Sequence, residues 1–451
     1  MFESCRAHSR RSAGGGPAVG MRVEGVGDGG VRASDRHWDR LALAAIGLGA
    51  VARGVWIFWL HKPLDYLYSD MSTYLVGAKE IADWHGLGVA TTFQPQGMHL
   101  LLALPLAVMG DGRAGLWGAT GIWWVLAAAT PFFAWRLARL LLTPAAGALT
   151  ALFVAIWPLT VTDSGYFLSE SPGLAFLLAS LWLGYEAQRR SGRSALLLGA
   201  LAGVAGATAV AIRPQYLLNL ALVAVPFLPR RRLNRQAAGA FCAVTVVLLF
   251  GVCAFNTAVA GRPTTLSREG GVTFFLGQCH VEHVEVQTAF SSYFIEPPVY
   301  VQTGGNVYFF AGREIWDDGF FYRKGLHCLA NDGERWPVHA ARMLADMTAT
   351  SIPWPQVGQP TLSTVANWTN VLYGYGLLPL VILLAVVRIL FRVPTAPGEK
   401  ALLAQLLCVV PIALVYFGDP RFRSTYDVFG LALLAAAITD VPSRIRGWRS
   451  T

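Results

Sequence analysis

Charged residues are scarce in this chain of 451 residues, since Lys, Arg, Asp and Glu together make up only 14% of it. A water-soluble enzyme of this size needs nearer a quarter of its residues charged to cover its surface, so that class of protein is excluded. Hydrophobic residues account for 54% of the chain, with 24 Phe and 15 Trp among them. This composition is that of a protein embedded in a lipid bilayer.

Cysteine and ligand-binding motifs are also sparse. Six cysteines are too few for a secreted module built on disulfides. The chain has no Walker loop, no dinucleotide fingerprint and no zinc-type spacing of Cys and His, so no site for a soluble nucleotide donor is evident. The net charge of +9 lies in short tracts between apolar runs, which is a signal of membrane topology and not of a nucleic-acid partner.

Long apolar runs are what the chain does contain. The first is Leu41 to Leu60, and ten more follow at 97–110, 115–135, 145–162, 172–185, 195–212, 215–229, 237–258, 371–391, 401–417 and 425–441. Crossing about 30 Å of hydrocarbon takes about 20 helical residues, whereas the run 97–110 reaches only about 21 Å. We therefore predict ten transmembrane helices and one half-embedded helix.

The distribution of basic residues predicts the orientation of these spans. With ten crossings and the N-terminus inside, the basic tracts between spans all fall on the cytoplasmic side. Both termini are then cytoplasmic, and the protein is predicted to lie in the inner (plasma) membrane. The external segments are 61–114, 163–171, 212–215, 259–370 and 418–424.

The predicted domain organisation follows from these spans. Residues 1–36 are rich in Gly and Arg and are expected to form a disordered cytoplasmic tail, with Met21 as an alternative start. Residues 37–258 form an N-terminal transmembrane module that carries the external loop 61–114. Residues 259–370 form an external, periplasmic domain, and residues 371–451 form the C-terminal transmembrane helices.

The external domain is expected to be a small α+β unit. Its runs VTFFLG and NVYFFAG are rich in β-branched and aromatic residues and are bounded by Gly, which is typical of strands. The stretch RWPVHAARMLADMTA predicts a helix that begins near Pro337. Cys279 and Cys328 lie in this segment and could form a disulfide in an oxidising compartment. The fold class is thus an all-α polytopic membrane protein with a small α+β external domain.

Acidic residues stand near the predicted outer boundary of the membrane. Asp70 begins a helical pattern in the first external loop, where it is either an N-cap or a base or metal ligand. Asp163 and Glu170 lie in the second external segment, and Glu170 is favoured because it is nearer the next span. Carboxylates at this depth cost several kcal/mol unless they are paired, solvated or metal-bound, which makes them functional candidates, although each could be a solvated loop residue.

Arginines are predicted on the same side of the membrane. Arg213 lies at the outer end of a helical hairpin, and Arg421 and Arg423 lie in a short external turn. Arginine is disfavoured in short external loops, so these three require an explanation. Binding a phosphate is one explanation, because guanidinium matches phosphate oxygens with parallel hydrogen bonds. Ion pairs with neighbouring acids are the other.

These acidic and basic stretches resemble the GT-C superfamily of integral-membrane glycosyltransferases. The likeness is greatest to its family 39-like branch, which includes the protein O-mannosyltransferases and the lipid A aminoarabinose transferase. Its motifs are short and lie in the same order over nearly the whole chain after residue 40. They are SDMSTYLVGAKEI, FQPQGMHLLLALPLAVMG, YFLSE, AIRPQY, GGVTFFLGQC and PRFRSTYDVF.

The resemblance implies an inverting, polyprenyl-phosphate-sugar-dependent glycosyltransferase, hexosyltransferase-like, with an external active site. Asp70 matches the first-loop acid of the family and Glu170 the second-loop acid, which makes them the expected catalytic pair. Arg213, Arg421 and Arg423 match positions suited to the donor phosphate. The family often has a second acid after the first, where this chain has Met71.

The expected chemistry agrees with that resemblance. Transfer of a sugar from a phosphate needs a base for the acceptor hydroxyl and positive charge on the leaving phosphate. Asp70 is expected to be the base, and Glu170 to orient the acceptor or to share a divalent metal ion with Asp70. The acceptor is a lipid, a polysaccharide or a protein. The alternative functions are a polytopic transporter or lipid flippase, and a non-catalytic subunit for assembly of the cell envelope.

Overall fold

Helices form most of the computed structural model, which describes residues 33–68, 70–224, 234–279, 301–303, 306–310, 313–331, 333–348, 360–390, 396–416 and 418–448. The helices are α1 Ala33–Val55, α2 Asp70–Asp83, α3 Gln96–Met109, α4 Arg113–Leu141, α5 Pro144–Ile156, α6 Pro158–Thr162, α7 Glu170–Gln188, α8 Gly192–Ile212, α9 Tyr216–Ala224, α10 Arg235–Ala260, α11 Glu269–Gln278, α12 Asp318–Asn331, α13 Trp336–Thr348, α14 Pro360–Val371, α15 Leu378–Leu390, α16 Pro397–Leu407, α17 Val409–Val415, α18 Pro420–Ser424 and α19 Asp427–Trp448. The described residues also contain three short strands, β1 Val301–Thr303, β2 Asn306–Phe310 and β3 Arg313–Glu314, and several short 3-10 and π-helical turns.

The helices confirm a multi-pass membrane architecture. Within the described residues, six helical segments are long and apolar enough to cross a bilayer, and a seventh results if the bent pair α5 and α6 is one span. The helix α3, predicted to be half-embedded, has 14 residues and is too short to cross. The total of ten crossings, the position of both termini and the division into domains remain predictions.

Two predicted boundaries differ from the helices of the structure. Helix α1 begins at Ala33, inside the predicted tail 1–36, while residues 1–32 lie outside the described residues. The runs 195–212 and 215–229, predicted as a pair of spans, begin two separate helices, α8 and α9, which are divided at Pro214. Helix α8 is long enough to cross a bilayer, whereas α9 has nine residues in the described part of the chain, so the second span of the pair remains a prediction. Proline restricts the residue before it to an extended backbone, which ends α8 at this point.

The largest buried cluster joins the N-terminal helices to the C-terminal ones. Leu137 of α4, Leu177 of α7 and Val210 of α8 pack together with Leu402 of α16 and Phe429 of α19. By contrast, α10 presents large apolar side chains outward, and Phe250 is 72% exposed. An exposed apolar face of that extent is expected where a helix contacts lipid.

A buried arginine stabilises the bend between α5 and α6. The two helices meet at 57°, because Pro158 cannot donate the backbone hydrogen bond that would continue α5. Arg53 of α1 donates from its guanidinium to the carbonyls of Val154 and Ala155 at 3.0 and 2.9 Å, and to the Thr160 hydroxyl at 2.9 Å. Carbonyls left unpaired in a membrane interior are costly, so this charge within a span has a structural role.

The predicted external segment contains helices α11 to α13, nearly all of α14, and a three-stranded antiparallel sheet in the order β1, β2, β3. The strand predicted from NVYFFAG and the helix predicted near Pro337 are confirmed as β2 and α13. The strand predicted from VTFFLG is wrong, because this run lies in α11. Val272, Phe275 and Cys279 are spaced as one face of a helix and are buried with Phe321 of α12. Tertiary packing thus overrides the β-propensity of the run.

Helix α11 is held in place at its C-terminal end. Cys279 and Cys328 form a disulfide to α12 with their Cα atoms 5.0 Å apart, as the sequence allowed. Gln278 donates through Nε2 to the carbonyls of Leu414 and Val415, at 3.0 and 2.7 Å. A Cβ atom on Gly277 would lie 1.2 Å from the carbonyl oxygen of Tyr416, so only glycine allows this approach. The external segment is therefore packed directly against α17.

Candidate active site

Five charged side chains from five separate segments meet at one face of the helical bundle. Asp70, Glu170 and Glu269 are the first residues of α2, α7 and α11, Arg213 follows the last residue of α8, and Arg421 lies in α18. Each comes from a different one of the five predicted external segments. Side chains that are up to 351 residues apart in sequence are thus brought within interaction distance.

Arg421 bridges the two acids predicted to be catalytic. Its Nη1 lies 3.1 Å from Oδ2 of Asp70, and its Nε lies 2.5 Å from Oε1 of Glu170. Asp419 orients the turn by accepting a hydrogen bond from the backbone N–H of Arg421 at 2.6 Å. The Asp70 side chain is 28% exposed and that of Glu170 only 2%, so the bridge runs from the surface into the protein.

A second arginine pairs with the same buried acid. Arg213 Nη1 lies 2.8 Å from Oε1 of Glu170 and donates to the Ser169 hydroxyl at 3.1 Å. Burial by itself raises the pKa of Glu170, but the charges of Arg421 and Arg213 and their hydrogen bonds outweigh it and lower the pKa to about 2. Glu170 is therefore ionised at neutral pH and holds both guanidinium groups in position.

Close packing of α3 places Arg213 at this face. A Cβ atom on Gly97 would lie 2.5 Å from the backbone nitrogen of Ile212, so the start of α3 rests directly on the last turn of α8. Arg213 follows with an extended backbone and turns toward Glu170. The motifs FQPQGMH and AIRPQY, distant in sequence, are thereby in contact.

Glu269 is a member of the cluster that sequence reasoning missed. It interacts electrostatically with Asp70, Arg421, Arg213 and Glu170. Burial, followed by the negative charge of Asp70, raises the pKa of Glu269 to about 7 against the opposing charges of the arginines. The residue stands immediately before the motif GGVTFFLGQC, and a helical interpretation of that motif would have placed an acid at its first turn.

Arg423, which the sequence grouped with Arg421, is not part of this cluster. Its side chain is 1% exposed, and its Nε lies 3.1 Å from Oδ1 of Asp427 in α19. It also donates to Asn370 at 2.8 Å and to the carbonyl of Met347 at 3.0 Å, and it lies over the Tyr373 ring. Residues two apart in one helical turn point in different directions. The contacts of Arg423 are thus those of a buried structural ion pair, and they lend no support to its expected part in binding the donor phosphate.

Comparisons with known proteins identify the fold of this chain. A family profile described as dolichyl-phosphate-mannose-protein mannosyltransferase matches residues 94–257, which include Glu170 and Arg213. The oligosaccharyltransferase of Archaeoglobus fulgidus in its apo form is 15% identical, with 92% of this chain covered and a TM-score of 0.51. The chain has a GT-C fold. It spans about half the length of that oligosaccharyltransferase, 51% of which is covered.

A second solved structure is similar to this chain over most of its length. ArnT from Cupriavidus metallidurans bound to undecaprenyl phosphate is 16% identical, with 90% of this chain and 78% of that chain covered. Its TM-score of 0.37 is too low to support an inference about the fold. A search of curated proteins gave no match. The GT-C resemblance predicted from the sequence is thus confirmed for the fold.

The GT-C fold brings the two predicted metal ligands together, but with an arginine between them. Among the residues that the structure describes, no three His, Cys, Asp or Glu side chains form a group that could hold a metal ion. Arg421 contacts the carboxylates of both Asp70 and Glu170, and a divalent cation on the same oxygens would repel this guanidinium. The donor set of this arrangement fits an ion pair, and a shared metal ion remains a hypothesis.

Proposed function

We propose that this protein is an inverting glycosyltransferase that moves a sugar from a polyprenyl-phosphate donor to an acceptor hydroxyl at the external membrane face. The observation that carries the proposal is the contact of Arg421 with both Asp70 and Glu170, which sets a partly exposed carboxylate beside fixed positive charge. The GT-C fold supports the reaction class, and the description of the matching family profile supports a lipid-phosphate donor.

Asp70 is suited to act as the general base, because it is the more exposed of the two acids. It removes the proton of the acceptor hydroxyl while that oxygen attacks the anomeric carbon of the donor sugar from the side opposite the phosphate. The bond from the anomeric carbon to the phosphate oxygen breaks, and the polyprenyl phosphate leaves with the bonding electrons. The configuration at the anomeric carbon is inverted by this single displacement.

Arg421 and Arg213 are suited to stabilise the leaving phosphate. One guanidinium carries five N–H donors, so it can serve a carboxylate and a phosphate together. Positive groups that are fixed in place before the reaction stabilise developing charge without the cost of reorganisation. Glu170 fixes both of these arginines, at 2.5 and 2.8 Å. Its role in this proposal is to position the arginines, while Asp70 contacts the acceptor.

The predicted orientation in the membrane is part of the proposal. All five segments assigned to the external side contribute to one cluster, as a single external site requires. The site is thus expected on the external face of the plasma membrane, with both termini in the cytoplasm.

Label transfer by the purified protein tests the proposal. The protein is incubated in vesicles with radiolabelled polyprenyl-phosphate hexoses and pentoses and with extracted membrane material. Radioactivity that passes covalently into the acceptor fraction supports the glycosyltransferase. Movement of labelled lipid across the vesicle membrane without transfer would support a transporter or flippase. Absence of both transfer and movement would support a non-catalytic assembly subunit. Either of these two outcomes would overturn the proposal.

We expect label transfer to survive chelation of divalent ions. The guanidinium of Arg421 occupies the position between Asp70 and Glu170 that a shared ion would take, so EDTA treatment followed by dialysis is expected to leave the initial rate unchanged. The same preparation with added Mg²⁺ or Mn²⁺ is the control. Activity that is lost with EDTA and restored by either ion would contradict this expectation and favour the shared metal ion.

A further inference from the structure

The part of the chain that leads into Arg421 begins where α17 ends. A helix leaves its last carbonyls without partners inside the helix. Here the carbonyls of Leu414 and Val415 accept hydrogen bonds from Nε2 of Gln278, at 3.0 and 2.7 Å. One amide nitrogen carries two N–H donors, so each carbonyl can receive one of them. Gln278, the last residue of α11, thus caps the C-terminal end of α17.

The capping amide stands on a firm support. Gln278 is 2% exposed. On one side of it, Cys279 is joined to Cys328 of α12 by the disulfide. On the other side, the carbonyl of Gly277 lies 3.1 Å from Nε2 of His339 in α13. Three helices of the external segment therefore fix the residue that caps α17.

The chain beyond α17 also runs in close contact with the external segment. A Cβ atom on Gly277 would lie 1.2 Å from the carbonyl oxygen of Tyr416, which places the backbone of α11 directly against that residue. A Cβ atom on Gly418 would lie 1.7 Å from the carbonyl oxygen of Met343 in α13. The approach to the turn that carries Arg421 is thus bounded by α11 and α13.

A small shift of this approach would move Arg421 out of its contacts. The guanidinium lies 3.1 Å from Asp70 and 2.5 Å from Glu170, and hydrogen bonds of this kind weaken steeply as distance and angle change. Without the amide of Gln278, the last carbonyls of α17 lose their donors, and the end of this helix is expected to fray. A misplacement of about 1 Å can cost about 10²-fold in rate, even when the change is far from the chemistry.

We propose that Gln278 is a positioning residue of the candidate active site and that it acts through Arg421. Its amide nitrogen binds the backbone of α17 and not the charged cluster, so it contributes by fixing the place of the guanidinium. The external segment thereby takes part in the reaction through a backbone contact. This inference rests on the proposed function, because it takes Arg421 as a group that stabilises the leaving phosphate.

A double-mutant cycle on kcat tests the inference. Gln278→Met keeps the length of the side chain and removes its N–H donors. It is expected to lower kcat for label transfer by about ten- to a hundredfold and to leave KM for the acceptor unchanged. Arg421→Ala is expected to lower kcat by about 10²–10³-fold, which a radiolabel assay can still measure. In that background Gln278→Met is expected to have no further effect, because the group through which it acts is gone.

Two variants control the measurement. Gln188 accepts a hydrogen bond from the backbone N–H of Asn234 at 2.8 Å, at the predicted cytoplasmic side, so Gln188→Met removes a glutamine contact far from Arg421 and is expected to retain wild-type kcat. Gln278→Asn keeps the amide on a shorter side chain that cannot reach both carbonyls. It replaces Gln278→Met in the cycle if that variant fails to fold. A cooperative melting transition in detergent, well above the assay temperature, shows that each variant is folded.

The outcomes separate this inference from the proposed function. An unchanged kcat in the folded Gln278 variant would overturn the inference, as would a fall by the same factor with and without Arg421, which is the mark of a purely structural role. Wild-type kcat in Arg421→Ala would also overturn it. Each of these results leaves the transfer reaction itself intact. Absence of transfer by the wild type would overturn the proposed function, and this inference with it.

Discussion

Asp70→Asn is expected to lower kcat for sugar transfer by about 10²–10⁴-fold, the usual contribution of a general base. Asparagine keeps the size of the side chain and can still accept a hydrogen bond from Arg421, whose Nη1 lies 3.1 Å from Oδ2 of Asp70. It cannot remove a proton from the acceptor hydroxyl. Initial rates of label transfer at saturating donor and acceptor measure the effect.

The matched control for this substitution lies at the other end of α2. Asp83 is exposed in the last turn of that helix, so Asp83→Asn removes the same charge outside the site and is expected to retain wild-type transfer. Both variants are expected to insert into the membrane in equal amounts. Transfer by Asp70→Asn at a near-normal rate would remove Asp70 from the mechanism.

Glu170→Gln is expected to lower the free energy of unfolding by about 3–5 kcal/mol, the usual loss when one partner of a buried ion pair is removed. Glu170 and Arg213 are 2% and 5% exposed, and the substitution leaves both Arg213 and Arg421 without their shared carboxylate. Thermal unfolding in detergent measures the loss. Removing Arg213 as well, in a Glu170→Gln/Arg213→Gln protein, is expected to cost less than the two single changes added together.

The control for this prediction is on the same helix. Glu186 pairs with Arg190 at 2.6 Å, but the arginine is 57% exposed, so Glu186→Gln is expected to change stability by about 0.5 kcal/mol or less. A melting temperature of Glu170→Gln equal to that of Glu186→Gln would contradict the assigned role.

Acid unfolding provides a second measurement for Glu170. The folded protein lowers the pKa of Glu170 from 4.5 to about 2. A lowered pKa adds stability that is fully present above about pH 4.5 and is lost as the pH falls toward 2. The wild type is therefore expected to lose stability relative to Glu170→Gln over this pH range. A constant difference between the two proteins from pH 5 to pH 2 would contradict this linkage.

The sequence predicted the segments of the site better than its individual contacts. Asp70, Glu170, Arg213 and Arg421 were singled out because a charge beside an apolar span is costly and requires a partner. The structure brings these four together through their ion pairs. The ion-pair interpretation of Arg213 and Arg421 therefore describes the structure, while their part in binding phosphate remains a proposal.

The surroundings of Glu269 and Arg423 could not be predicted from the sequence. Glu269 was hidden because the run after it has the β-branched and aromatic content of a strand, whereas packing against α12 makes it a helix. Arg421 and Arg423 are both arginines in the same predicted external turn, so the sequence does not distinguish them. Only the direction of each side chain within α18 decides that Arg421 meets Asp70 and that Arg423 meets Asp427.

The sequence alone determined that this is a helical membrane protein. Exposing apolar groups to water, or charges to lipid, costs free energy. This cost depends on the composition of each stretch of about 20 residues, which can be read directly from the sequence. The meeting of α2, α7, α8, α11 and α18 at one face was decided only by tertiary packing. Contacts such as Gly97 against Ile212 and Arg268 against Thr92 depend on the shapes of surfaces that are far apart in sequence. No local pattern of residues encodes the position of one such surface relative to another, so the third acid of the site emerged only from the folded chain.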